Sequence, residues 1–236
     1  LIEVGPDSFV ATNLGKKYLG KYVVCHTSGS QGESALLVQP QADVDKTFAM
    51  QAARGHNLPK TWKTLWDKLT GPKVRWSVVL FRKSFFPSGA AFENIPLPMR
   101  KLANIQRLNI NDPLEENLAK LDEFKPNIIT AYSHVLENLA RAELQGKLHL
   151  RDAKCLQHVT SISEPITDMA RDYMQRAWDV PIANHYAMGE CMGLTLGCSK
   201  GFGAHLNPDL AILEVVDRHY RPVPPGTPGD KVLVTN

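Results

Sequence analysis

Thr27, Ser28, Gly29 and Ser30 stand in an unbroken row after the apolar run YVVC at 22–25, and Gly32 and Ser34 follow close behind. Hydroxyls and glycine amides at the end of a strand can turn several O–H and N–H donors onto one phosphate group. Glycine also lets the backbone itself approach a ligand. The row is not a Walker A loop, because no Lys-Ser or Lys-Thr pair follows Gly32, and it is not the G-x-G-x-x-G dinucleotide fingerprint. A plain surface turn has the same composition, so the loop taken alone leaves a phosphate site and a turn as equal readings.

Other residues carry possible chemistry. Glu190 ends the stretch NHYAMGE with a carboxylate that suits a hard cation such as Mg²⁺. Glu164, in SISEPIT, reads either as a site acid or as an acid flanking the helix that Thr167 caps. Cys198 and His205, spaced C-x₆-H, have the ligand types of zinc. A structural zinc site takes four ligands and usually a tighter cysteine pair, so a packed thiol at Cys198 is the preferred alternative. His26, His56, His149, His158, His185 and His219 form no ligand spacing, and His134 stands out because it follows Ser133 at a helix start.

Composition narrows the partners. The 236 residues are 43% hydrophobic and 22% charged, which suits one sizeable core or one domain with a small appendage. Lys+Arg 27 against Asp+Glu 24 leaves a net charge of +3 with the signs interspersed, so no basic stripe points to nucleic acid or an anionic membrane. No apolar run approaches the roughly 18 residues of a membrane span, and the start LIEVGPDSF lacks the features of a secretion signal. The four scattered cysteines are not a disulfide framework, and a cytoplasmic location with reduced thiols is the default expectation.

The elements that must position these groups follow from pattern. Apolar runs at 22–25, 74–81, 128–132, 155–162, 181–186, 210–216 and 231–235 predict strands. TDMARDYMQRAWDV predicts a helix capped by Thr167, with Met169, Ala170, Tyr173, Met174, Ala177 and Trp178 on its inner face. SHVLENLARAELQG predicts another, capped by Ser133 and stopped at Gly146. Weaker helix patterns cover 43–55 and 61–69, and the Pro-rich stretch 84–99 predicts a long surface loop. The alternation implies an α/β fold, a layered and mostly parallel sheet flanked by helices. The last thirty residues break it: two strands around RHYRPVPPGTPGD predict a small C-terminal antiparallel β-hairpin. The domain reading is therefore an α/β nucleotide- and acid-binding core over 1–204 and the start of a β subdomain over 205–236.

Taken together, several segments resemble the adenylate-forming superfamily, and its phenylacetate-CoA ligase branch in particular. TSGSQG is similar to that superfamily's phosphate loop, FKPNIITAYSHVLENLA to the strand and helix before the nucleotide site, SISEPIT to the turn against adenine, and NHYAMGE to the aromatic-to-glutamate motif. GAHLNPDLAILEVVD and RPVPPGTPGDKVLVTN resemble the strand and hairpin that follow. The resemblance implies an ATP-dependent ligase that activates a carboxylic acid, an aryl or arylacetic acid, as its adenylate and passes it to coenzyme A. It implies that Thr27, Ser28, Gly29, Ser30 and Gly32 grip phosphates, and that Ser163, Glu164, Pro165, His185, Tyr186, Ala187, Met188 and Gly189 surround the nucleotide. Glu190 would meet Mg²⁺, and Tyr132, Ser133 and His134, with the loop around Phe85, Phe86 and Phe92, would face the acid. Cys198 and His205 fall where some members of that branch carry a Cys and a His. The same fold also serves biosynthetic adenylating enzymes whose acceptor is not coenzyme A, and relatives that have lost catalysis.

The pattern departs from the family at four positions. Gln31 replaces a usual Thr, and Glu33 brings a carboxylate close to where a triphosphate would lie. Ala187 replaces Gly, and Gly189 replaces the Thr whose hydroxyl would face the α-phosphate, leaving the Met188 and Gly189 amides as substitute donors. The chain starts at Leu1 without methionine and ends inside a strand pattern, as a piece of a large domain would. The family's ribose-binding Asp segment and its mobile lid with a catalytic Lys would come after Asn236, so the polypeptide alone is expected not to turn over.

Overall fold

The computed structural model describes residues 15–27, 34–54, 71–82, 85–198 and 203–235. The 61–69 helix pattern and the loop residues Ser28, Gly29, Ser30, Gln31, Gly32 and Glu33 lie outside the described residues.

Five strands form a parallel sheet: β3 (Val74–Leu80), β4 (Ala103–Asn109), β5 (Ile128–Tyr132), β6 (His158–Ile162) and β7 (Ile182–His185), in the order β4-β3-β5-β6-β7. Helices α4 (Leu114–Phe124), α5 (Ser133–Leu144) and α6 (Asp168–Trp178) cover one face. Their Leu118, Leu121, Leu136, Leu139, Ala170, Met174 and Trp178 bury against Val79, Leu108, Ile129, Ala131, Val159 and Ile182 of the strands. The alternation of the strands sends these residues to one side and Trp76, Ile105 and Thr130 to the other.

The opposite face carries α2 (Pro87–Glu93) and α3 (Leu97–Leu102), with β1 (Tyr22–His26), β2 (Leu36–Pro40) and α1 (Gln41–Arg54). Val23, Cys25, Val44, Phe48, Ala90 and Ile95 form a second core there, against Trp76, Phe92 and Ile105. The stretch 84–99 is therefore not a long surface loop. Pro87 opens α2 and Pro98 falls in the first turn of α3, where proline's fixed φ and missing N–H are tolerated. Phe85, Ala90, Asn94 and Ile95 are buried.

Strands β8 (Thr195–Gly197) and β9 (Ala204–Leu206) form a hairpin, as do β10 (Ile212–Val216) and β11 (Lys231–Thr235), the latter antiparallel as its Pro/Gly turn predicts. Gly197 is required where it stands, because a Cβ there would collide with the backbone of Asn184 in β7. The sequence pattern missed β2, β4, α4, β8 and β9, all short or mixed in polarity. The helix expected at 43–55 appears as α1, and the strand expected at 155–162 starts only at His158. Among the described residues, no helix is long and apolar enough to cross a membrane.

Candidate active site

The helices that follow β3 pack on one face of the sheet, and those that follow β4 and β5 pack on the other. The chain therefore parts between the C-terminal ends of β3 and β5, and such a parting opens a crevice where α/β sheets hold ligands. The residues singled out in the sequence converge on this edge.

Tyr132, Ser133 and His134 lie where β5 passes into α5. Ser133 is not the helix cap: Tyr132 is the N-cap residue with no side-chain cap bond, and Ser133 is the first helical residue and buried. The cap comes instead from β6. Glu164 accepts the His134 backbone N–H at 3.1 Å, and both its carboxylate oxygens lie 2.9 Å from His134 Nδ1. The His134 ring stacks parallel to Tyr132 with centroids 6.0 Å apart, and Tyr132 Oη lies 3.3 Å from Ser88 Oγ on α2. Ser163, just before Glu164, has a left-handed φ of +64°. Ser163 and Pro165 are exposed, and α6 is capped by Thr167, whose Oγ1 accepts Ala170 N–H at 3.1 Å.

The end of β7 supplies Tyr186, 59% exposed, whose N–H and carbonyl are both held by Thr195 Oγ1 at 3.0 and 2.9 Å. Ala187 is exposed beside it. Met188 and Cys191 exchange backbone hydrogen bonds, so the Met188 amide donates within its own loop instead of standing ready as a phosphate donor. Gly189 accepts from Gln39 Nε2 of β2 through its carbonyl, which ties this loop to the β1–β2 hairpin. A Cβ at 189 would run into Leu37 and crowd Pro87, so the hydroxyl missing from this position has its space filled by Leu37.

Thr27 ends the same hairpin and closes the base of the glycine-rich loop. Its N–H donates to the Ala35 carbonyl at 3.0 Å, and its Oγ1 accepts Ala35 N–H at 2.9 Å. His26 donates its N–H to the Phe85 carbonyl, and its ring lies 4.9 Å from that of Phe86. Phe92, by contrast, is core, packed edge-on against Phe48 and Trp76. The exposed Glu190 stands near the buried Cys25: burial first, and then that negative charge, push the Cys25 thiol up to about 12. Cys25 is therefore an inert packed thiol, and the Glu190 carboxylate is brought beside the hairpin that carries the loop.

Burial, with repulsion from His158, holds His185 down to about 4, and burial lowers His158 too. Both imidazoles are neutral at pH 7 and act as packed polar groups. Ser161 and Asn184 stand opposite each other in β6 and β7, and Ser161 Oγ and Asn184 Oδ1 are buried without a hydrogen-bond partner among the described residues. Sequence reasoning missed both, together with Gln39, Ser88 and Leu37, because each matters only through a neighbour distant in the chain.

For a metal, Cys198 and His205 occupy diagonal positions across the β8–β9 hairpin. Among the described residues no group of three or more His, Cys, Asp or Glu could hold an ion, so the pair lacks the further ligands a zinc site needs. A single carboxylate, as at Glu190, does fit Mg²⁺, which binds through one or two carboxylates and completes its shell with phosphate oxygens and water.

No family model matches the chain, and no curated protein sequence matches it. Solved structures do. 2-Hydroxyisobutyryl-CoA ligase in complex with 2-HIB-AMP and CoA aligns over 91% of this chain and 44% of its own length, at 19% identity and a TM-score of 0.68. VinN with L-aspartate aligns over 90% of this chain and 49% of its own, at 16% identity and 0.55. The Klebsiella oxytoca NpsA N-terminal subdomain with 3-hydroxyanthranilyl-AMSN aligns over 86% and 47%, at 13% and 0.54. The fold is that of the adenylate-forming enzymes. The chain spans under half the length of these structures, and in the adenylate-forming fold that share corresponds to part of the large domain.

Proposed function

We propose that this chain is part of an ATP-dependent acid ligase that activates a carboxylic acid, an aryl or arylacetic acid, as its acyl-adenylate and transfers it to coenzyme A. One observation carries the reading. Thr27, the Tyr132–His134 corner, the Ser163–Pro165 turn and the Tyr186–Glu190 loop, spread over most of the sequence, stand at element ends that contacts tie together, Glu164 to His134 and the β1–β2 hairpin to the 186–190 loop through Gln39 and Gly189, in a fold shared with a CoA ligase solved with an acyl-AMP.

In this reading the acid's carboxylate oxygen attacks the α-phosphorus of ATP and pyrophosphate leaves. The thiol of coenzyme A then attacks the acyl carbon, losing its proton, and AMP departs. Thr27, with Ser28, Gly29, Ser30 and Gly32, grips the β- and γ-phosphates. Tyr186 offers an exposed ring for adenine to stack on, beside Ser163, Glu164, Pro165, His185, Ala187, Met188 and Gly189. The unpartnered Ser161 and Asn184 oxygens suit a ligand amino group at the same turn. Glu190 would hold Mg²⁺, which when bound would supply positive charge to the phosphates. Tyr132, Ser133, His134 and Phe86 border the acid. The reading divides the chain into a nucleotide- and acid-binding core at 1–204 and the start of a β subdomain at 205–236, in a cytoplasmic protein of small-molecule substrates.

A second reading, an adenylating enzyme with another acceptor, draws on VinN and NpsA, solved with an amino acid and with an aryl-AMSN compound respectively. A third, a nucleotide-binding relative without catalysis, draws on Gly189, whose missing hydroxyl is replaced by Leu37 packing. The test is ATP–pyrophosphate exchange by the full-length protein against aryl, arylacetic and aliphatic acids. Exchange with one acid class that drops about a hundredfold or more in Glu190→Gln supports adenylation. No exchange with any acid, despite measurable ATP binding, overturns it in favour of the third reading. Product formation with and without coenzyme A separates the first two.

A further inference from the structure

We propose that Glu164 and His134 form a positioning clamp that couples the nucleotide side of the crevice to its acid side. The inference rests on the proposed acid-activating function and adds to it which contact links the two substrates.

The clamp is built from distant parts of the chain. Glu164 lies in the turn after β6, and His134 begins α5 after β5. The α5 N-terminus has no cap of its own, since the N-cap residue is Tyr132. The Glu164 carboxylate fills that role from the end of the neighbouring strand, taking the His134 backbone N–H and the Nδ1 edge of the ring together. The turn is shaped for this. Ser163 adopts φ +64°, a conformation L-residues avoid, and Thr167 has already capped α6, so Glu164 is turned away from its own helix and toward its neighbour's.

The contact does not stop at the pair. Ring geometry leaves His134 Nε2 on the edge away from Glu164, and the ring lies parallel to Tyr132, whose hydroxyl meets Ser88 on α2. Ser88, Tyr132, His134 and Glu164 thus form one line of contacts across the parting of the sheet, from the acid-bordering helix to the adenine turn. The His134 side chain is 56% exposed and that of Glu164 37%, so the line is open to whatever occupies the crevice. A ligand that fixes the 163–165 turn fixes the imidazole, and a ligand that moves the imidazole moves the turn. By linkage the effect is reciprocal.

The experiment measures, in the full-length protein, the affinity for a non-hydrolysable ATP analogue with and without a saturating acid found active in exchange. The wild type is expected to bind the analogue about fivefold or more tighter when the acid is present. Glu164→Ala and His134→Leu are expected to weaken the substrate each one borders, and also to bring that ratio, in which a uniform loss of affinity cancels, to within about twofold of unity. His134→Asn, whose amide can stand in for Nδ1–H, is expected to recover most of the ratio. Glu164→Gln keeps an acceptor for the helix end and serves where Glu164→Ala does not fold. Undiminished coupling in His134→Leu, or in Glu164→Ala where that variant folds, overturns the clamp while the acid-activating reading stands. A wild type that binds neither the analogue nor an acid overturns the reading and the clamp with it.

Discussion

At the N-terminal ends of the parallel strands, one side chain knits three strands together. Asn127 Oδ1 accepts Arg75 N–H, its Nδ2 donates to the Cys155 carbonyl, and its own backbone pairs with Arg75, Gln157 and His158. At the C-terminal ends of the same strands the polar groups face outward. Tyr186, His134 and Glu190 are exposed, Ser163 is held at a positive φ, and Ser161 and Asn184 keep buried atoms without partners. At one end a single side chain ties three strands together; at the other the polar groups stand exposed at the strand ends or pair with residues of neighbouring turns.

Breaking the closed end sharpens the contrast most. Asn127→Ala strips the side-chain hydrogen bonds to Arg75 N–H and the Cys155 carbonyl and is expected to cost about 2–3 kcal/mol in chemical denaturation. Its KM values in pyrophosphate exchange should match the wild type, because the residue lies at the opposite edge from the crevice. A loss of substrate affinity equal to the loss of stability would erase the distinction between the two ends.

The rim answers to pH. The ordinary value for His185 is 6.5 and the folded protein holds it at about 4, burial being the first cause and His158 the second. Above pH 6.5 both folded and unfolded chains carry the neutral ring, and the full stability is present. As the pH falls from 6.5 toward 4, the unfolded chain takes a proton that the folded one refuses, and stability declines. Melting temperatures across that window should fall with pH, and His185→Gln should flatten part of the slope; an unchanged slope in the variant would assign the loss elsewhere. The smallest effect belongs to Thr167→Ala, which removes the α6 cap beside the Ser163–Pro165 turn and should cost about 1 kcal/mol in the same denaturation experiment.

Elements with a clean period were legible in advance. The strand at 128–132 matches its apolar run, and the helix from Asp168 buries Ala170, Met174, Ala177 and Trp178 and packs Tyr173 as its spacing predicts, but Met169, expected on the same inner face, is exposed at the first turn; the final hairpin matches its Pro/Gly turn. The stretch 84–99 was not legible, because its prolines read as loop signals when they stand in the first turns of two helices. Strand β4, ANIQRLN, was not legible either. It is an edge strand whose Gln106 and Arg107 bond to backbone carbonyls of neighbouring elements, so it never shows an apolar run. In the site, the types and order of Thr27, Ser163, Tyr186 and Glu190 could be read, but not who touches whom. Glu164 read either as a site acid or as an acid flanking its own helix, and in the structure it caps the neighbouring helix at His134.

What the sequence determined by itself was the alternation of strand and helix and the chemical kinds of group at the loop ends, because periodicity and residue type are local properties. The partnerships were decided only by the tertiary structure. Leu37 filling the space at Gly189, Gln39 holding that loop, Glu164 clamping His134 and Gly197 meeting the Asn184 backbone all join residues far apart in the chain. No local pattern encodes such contacts, because they exist only once the parallel sheet has set its register and brought the ends of separate strands to one edge.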